Sequence, residues 1–181
     1  MKSFACMKKM SAIITAYRDP ENLFQIIDRL KERDCEIIVV GDCLDSETTE
    51  KLERMNVSLL LSNERRGKWR ALNEALEYVE TEYILFLDSD TMPLDIPNPR
   101  GEIIEITKEV EGNSLIERLC GVDFLLMNVS SRISSKILGF GMVNGSAFIS
   151  KTEIAKKLAF KPRIIEDADF GLRAGFEGYK M

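Results

Sequence analysis

Between Ser11 and Asp88 the sequence alternates short β-branched apolar runs with stretches of helical periodicity, and this alternation restricts the fold more than any other feature. Ser11–Ala16 (SAIITA), Glu36–Val40 (EIIVV), Val57–Ser62 (VSLLLS) and Tyr83–Leu87 (YILFL) read as strands. They lack the in–out alternation of half-exposed strands, as expected for parallel strands buried on both faces. Between the first two, Asp19-Pro20-Glu21 offers an N-cap, an N1 proline and a first-turn acid, and Leu23, Ile26, Ile27 and Leu30 follow at helical spacing. Ser46–Met55 reads as a short helix, and Trp69, Leu72, Leu76 and Val79 share one face of another, which makes Trp69 a core residue. This order predicts an α/β domain with a mostly parallel central sheet and helices on both faces.

Ligands of such sheets lie beyond the carboxyl ends of the strands, where strand order switches. Tyr17-Arg18, Asp42, and Asp88 with Asp90 follow three of the strands and are expected on one rim. The second half is less regular. Met92–Arg100 holds Pro93, Pro97 and Pro99 and must be a loop, Glu102–Val110 is expected as an edge strand, and Ser114–Leu138 fits helix or strand. Asn144–Ser150 reads as a returning strand, followed by helices over Lys151–Phe160 and Asp167–Ala174.

Composition narrows the chemistry. The chain has 181 residues, the size of one domain, with 45% hydrophobic and 30% charged residues, which excludes disorder. Its net charge of -5 gives no chain-wide field for nucleic acid, so none is expected as a partner. With no histidine, Ser-His and Cys-His dyads, His-ligated zinc and an imidazole base are excluded. Cys6, Cys35, Cys43 and Cys120 form no CxxC pair, and Met1–Met10 has no signal-peptide core, so reduced thiols and a cytoplasmic location are expected. No apolar run reaches the ~20 residues of a spanning helix, which limits any membrane role to peripheral contact.

The remaining chemistry belongs to carboxylates and lysine. Asp88-Ser89-Asp90 places two hard oxygen donors beside a strand end, where Mg2+ or Mn2+ would keep positions for phosphate oxygens. Glu166-Asp167 opens Glu166–Arg173; Asp167 can cap a helix or, held at a cleft, take a proton from an attacking hydroxyl. Lys151, Lys156, Lys157, Lys161 and Arg163 face Glu153 alone; the run reads as a solvated helix face, with an anionic headgroup or phosphate-bearing acceptor as the other option.

Ala16-Tyr17-Arg18, IIVVGD ending at Asp42, Asn63 with Arg66-Gly67-Lys68 and Ala71-Leu72-Asn73, YILFLDSD, Asn144-Gly145-Ser146, and Ile165-Glu166-Asp167 with Gly171-Leu172-Arg173 and Gly178-Tyr179 occur in the order of a known family. From residue 11 to about 180 the chain resembles glycosyltransferase family two, with the GT-A fold. The resemblance implies one domain over 1–181, with a nucleotide-binding half at about 1–92 and an acceptor-side half at about 93–181. It also implies a metal-dependent, inverting transferase of hexosyltransferase type, taking its sugar from a nucleoside diphosphate sugar, UDP-linked by family habit. GDP and dTDP stay open, as does a sugar, lipid-linked or protein acceptor.

By the same resemblance, Ala16, Tyr17 and Asp42 line the base pocket, and Lys68 lies near the nucleotide or is a solvated helix-start residue. Asp88 contacts ribose or metal with Ser89 beside it, and Asp90 is the principal ligand of Mn2+ or Mg2+. Gly145 belongs to a wall between donor and acceptor, and Asp167, next to Glu166, is the base. Two departures stand out: Gly41 replaces the first of two consecutive aspartates, and the Gln-x-x-Arg-Trp segment of processive synthases is absent before the end at Met181. Non-processive transfer is therefore expected. The alternative is a degenerate or truncated transferase that binds nucleotide and acts through a partner; a nucleotidyltransferase is disfavoured because no glycine-rich loop follows the first strand.

Overall fold

The computed structural model describes residues 10–18, 20–33 and 35–181. Four parallel strands, β1 (Met10–Tyr17), β2 (Glu36–Asp42), β3 (Ser58–Ser62) and β4 (Tyr83–Asp88), are joined by helices α1 (Leu23–Lys31), α2 (Ser46–Glu53) and α3 (Lys68–Glu77). Then come β5 (Ile103–Glu105), α4 (Leu115–Leu138), β6 (Ala147–Lys151), α5 (Thr152–Leu158) and α6 (Glu166–Phe176). The sheet order is β3-β2-β1-β4-β6-β5, with β6 antiparallel to both β4 and β5. The mostly parallel α/β sheet expected from the sequence is present.

Successive strand residues feed opposite cores. Ile13, Ile38, Val40, Phe86 and Phe148 pack on the α3, α5 and α6 side, and Trp69 is half-buried against that cluster. Ala12, Ile14, Val39, Leu85 and Leu87 pack on the α1 and α2 side, with the buried stripe Leu23, Ile26, Ile27 and Leu30 of α1. A buried Phe cluster ties the second half to the sheet: Phe86 stacks on Phe148 at 4.6 Å, and Phe160 on Phe170 at 5.0 Å. Because Phe170 lies one turn into α6, this packing fixes the start of that helix against β4 and β6.

Several boundaries differ from the sequence expectation. α1 begins at Leu23 with Asn22 as N-cap, and the Leu23 amide donates to the Pro20 carbonyl, so Pro20 precedes the helix. Asp19, expected as the cap, lies outside the described residues, as do Cys6 and the basic start. The edge strand expected over Glu102–Val110 pairs with β6 only at Ile103–Glu105; Lys108 turns instead to α4, where Asn128 bonds both its amide and its carbonyl. Ser114–Leu138 resolves as helix, opened by a capping box between Ser114 and Glu117 and ended by Gly139 at φ 77°. Asp167 does not cap α6. The N-cap is Ile165, and Asp167 lies in the first turn.

Candidate active site

Strand register assembles the rim. Tyr17 at the end of β1 is paired with Asp42 at the end of β2, and Thr15 with Asp88 at the end of β4, so Asp88 borders the switch between β1 and β4 and Asp42 stands on the other side of β1. Thr15 donates its hydroxyl to Asp88 at 2.8 Å, and the Ser89 amide donates to the Thr15 carbonyl at 3.1 Å. Asp90, one turn residue further, is exposed and among the described residues accepts only from its neighbour Thr91, at 3.2 Å.

Lys68 links this rim to the second half. Its ammonium lies 2.7 Å from the Asp88 carboxylate, donates to the Gly145 carbonyl at 3.3 Å and stands 3.9 Å from Glu166. It is therefore not a solvated helix-start residue. On the other side of the same peptide region, the Gly145 amide donates to Asp167, whose second oxygen accepts from the Ala168 amide at 2.8 Å. A Cβ at residue 145 would stand 2.7 Å from Asp167 Oδ2, so only glycine permits this approach. Asp88, Lys68, Gly145, Glu166 and Asp167 thus form one hydrogen-bonded and ionic chain across the β4–β6 boundary. Burial pushes the Glu166 carboxyl up, and the Lys68 charge partly opposes that.

On the β2 side, both oxygens of buried Asp42 are taken by Arg66: its amide donates to Oδ2 at 2.7 Å and its Nε to Oδ1 at 2.8 Å. The same guanidinium reaches Glu74 at 2.6 Å and the carbonyls of Gly41 and Leu60 at 3.2 and 2.9 Å. The sequence marked Asp42 but not this clamp. Ala16 is buried in the α1-side core. The Tyr17 ring is covered by the guanidinium groups of Arg18 and Arg65, at 5.1 and 4.8 Å. At Gly41, the space an aspartate side chain would enter is filled by Leu44, whose Cδ1 would lie 2.5 Å from a Cβ.

The structure also brings in Lys108, which no sequence pattern singled out. Its ammonium is buried without a hydrogen-bond partner among the described residues, 3.8 Å from Glu105 and within electrostatic reach of Asp167 and Asp88. Burial lowers this lysine to about 8, against the attraction of Glu105. An unfolded chain holds that proton to a pH near 10.5, so below pH 8 the folded state carries a penalty that disappears as pH rises from 8 to 10.5. Lys108→Met should therefore raise stability by roughly 2 kcal/mol at pH 7, or about 4–8 °C in midpoint, after allowing for a Glu105 left without its cation. Thermal melts at pH 7 and pH 10 check this: the gap between variant and wild type should close at the higher pH.

Among the described residues, no group of three or more Asp, Glu, Cys or His side chains forms a metal cage. Asp90 and Asp88 are hard oxygen donors of the type a divalent cation takes, Asp90 exposed and Asp88 holding the Thr15 hydroxyl and the Lys68 ammonium on its two oxygens.

A carboxylate rim at the switch point of this sheet defines an α/β domain of the GT-A class. Among solved structures, the mannosyltransferase PcManGT from Pyrobaculum calidifontis, in complex with GDP-Man and Mn2+, superposes with a TM-score of 0.76 at 19% identity, covering 97% of this chain and 54% of that one. Mannosyl-3-phosphoglycerate synthase from Rubrobacter xylanophilus gives 0.53 at 18% identity, covering 81% and 55%. Residues 11–95 match Glycosyl transferase family 2. Over 95 residues the chain is 30% identical to the poly(ribitol-phosphate) beta-N-acetylglucosaminyltransferase TarS of Staphylococcus aureus, a match that spans 46% of this chain and 16% of that protein.

Proposed function

We propose that the protein is a metal-dependent, inverting glycosyltransferase that moves a hexosyl group from a nucleoside diphosphate sugar, UDP-linked, to an acceptor hydroxyl without processive polymerisation. The observation that carries this reading is the chain from Asp88 through Lys68 and Gly145 to Asp167, which joins the strand-end carboxylates to the α6 carboxylates in one site. The family match supports the transfer reaction, and the Mn2+ and GDP-Man held by the structural neighbour support a metal and a nucleoside diphosphate sugar as donor, UDP resting on the family resemblance alone.

In this reading the nucleotide lies over the ends of β1 and β2, its base taking the place of a guanidinium group that covers the Tyr17 ring. Asp90, with Asp88, would hold a divalent cation, which would supply charge neutralisation at the leaving diphosphate. Lys68 fixes Asp88 through its ion pair. Asp167, each of whose oxygens keeps a lone pair beyond its backbone bond, takes the acceptor proton from the face opposite the leaving group. Glu166 holds the far side of Lys68. Positioning by these fixed groups supplies much of the acceleration.

Thermal shift with UDP, GDP, dTDP and CMP, each with Mn2+, Mg2+ or EDTA, tests the binding half. With ligand at ~100 times its dissociation constant, the matching nucleotide and metal should raise the midpoint by about 5–10 °C. Because the protein supplies few metal ligands of its own, metal or nucleotide alone should give little shift, and Asp90→Ala should remove the joint one. No shift under any combination would defeat the proposal. A joint shift without donor hydrolysis or transfer would favour a nucleotide-binding module acting through a partner.

A further inference from the structure

α4 faces the wrong way for a helix that packs by its apolar side. None of its described residues is buried. The face turned to the body is small and polar: Asn128 bonds the Lys108 backbone, Ser131 bonds Glu105, and Ser135 donates to the Met181 carbonyl at 2.6 Å. The opposite face carries Leu115, Leu119, Val122, Leu126, Val129 and Ile133 at alternating spacings of four and three, each between 45% and 74% exposed. Monomers usually leave contiguous apolar patches no larger than roughly 300–600 Å², and this stripe continues to the last turn of the helix with Ile137, four residues after Ile133 and 75% exposed.

Two features identify what covers it. A helix partner in a coiled coil needs only a narrow seam, whereas exposed Leu125 on one flank and Ile116 on the other widen this apolar arc to roughly 180° at 100° per residue. That width suits a planar apolar medium. Along the Leu125 edge stand Arg118, Arg132 and Lys136, exposed and in no ion pair among the described residues, against Asp123 on the opposite flank. Glu117 is engaged in the capping box. The basic run at 151–163 does not supply this dock: Lys156 donates to the Val79 carbonyl, Lys157 pairs with Glu177, and Arg163 lies near Asp169.

We infer that α4 lies on an anionic lipid surface, its apolar arc in the headgroup–acyl boundary and its three cations at the phosphates. No helix among the described residues is long and apolar enough to cross a membrane, so this is contact in the plane of the surface.

Co-sedimentation with vesicles of phosphatidylcholine alone and of equimolar phosphatidylcholine and phosphatidylglycerol tests it, with light scattering of the lipid-free protein alongside. The protein should bind the anionic vesicles at least tenfold more tightly than the neutral ones. L119K/L126K/I133K, all at solvent-facing positions, should melt like wild type and lose binding. R118E/R132E/K136E should weaken it by about fivefold or more per cation. Wild-type protein that stays in the supernatant, or binds both vesicle types equally, overturns the inference. A lipid-free dimer that L119K/L126K/I133K dissociates overturns it too, assigning the stripe to a second copy.

Discussion

Asp167→Asn should lower sugar transfer by ~10²–10⁴-fold while leaving nucleotide and metal binding within about twofold of wild type. The amide is close to isosteric with the carboxylate. Its oxygen can keep the bond from the Gly145 amide, so the turn at 144–146 should hold its geometry, while the bond from the Ala168 amide in the first turn of α6 is given up. What disappears is a basic oxygen for the acceptor proton. No histidine can take over, and the nearest carboxylate, Glu166, is mostly buried, with its carboxyl pushed up by that burial. Single-turnover transfer measured beside the thermal shift separates the two effects. Full turnover by the variant would remove Asp167 as base, and loss of nucleotide binding would move its role to the donor side. Asp90→Ala should give the reverse pattern, with binding lost first.

The sequence made the sheet legible because its signals there are local. Four apolar runs, the α1 stripe and the strand-end aspartates all lie within single elements, and parallel pairing then aligns Tyr17, Asp42 and Asp88 automatically. The helical state of 115–138 was also within reach, since Ser114 and Glu117 spell a capping box and Gly139 supplies the left-handed cap. Its orientation was not, because periodicity identifies an apolar face without saying whether the fold covers it. Lys108 was illegible for a related reason: whether a lysine after a three-residue edge strand turns inward depends on Asn128 of a distant helix. The bond from Gly145 to Asp167 spans 22 positions, and only the packing of Phe170 against Phe148 and Phe160 brings the two together.

Arg66 is the position where a single substitution should unsettle the fold most. Its side chain is 16% exposed and that of Asp42 is 9% exposed, so the pair is largely desolvated and each charge depends on the other. Arg66→Met leaves the Asp42 side chain buried without its guanidinium partner and strips donors from the Gly41 and Leu60 carbonyls. Removing one partner of such a pair typically costs about 3–5 kcal/mol, which for a chain of this size lowers the midpoint by about 6–20 °C. Replacing both partners should cost less than the sum of the two single changes, because neither charge is then left alone. Denaturant melts of Arg66→Met, Asp42→Leu and the double variant measure that coupling; strictly additive losses would show that the two side chains act independently. The outcome also governs how nucleotide binding by Asp42 variants is read. Because both Asp42 oxygens already accept from Arg66, a binding defect in Asp42→Asn counts as a lost base contact only where the melt shows the β2 end intact.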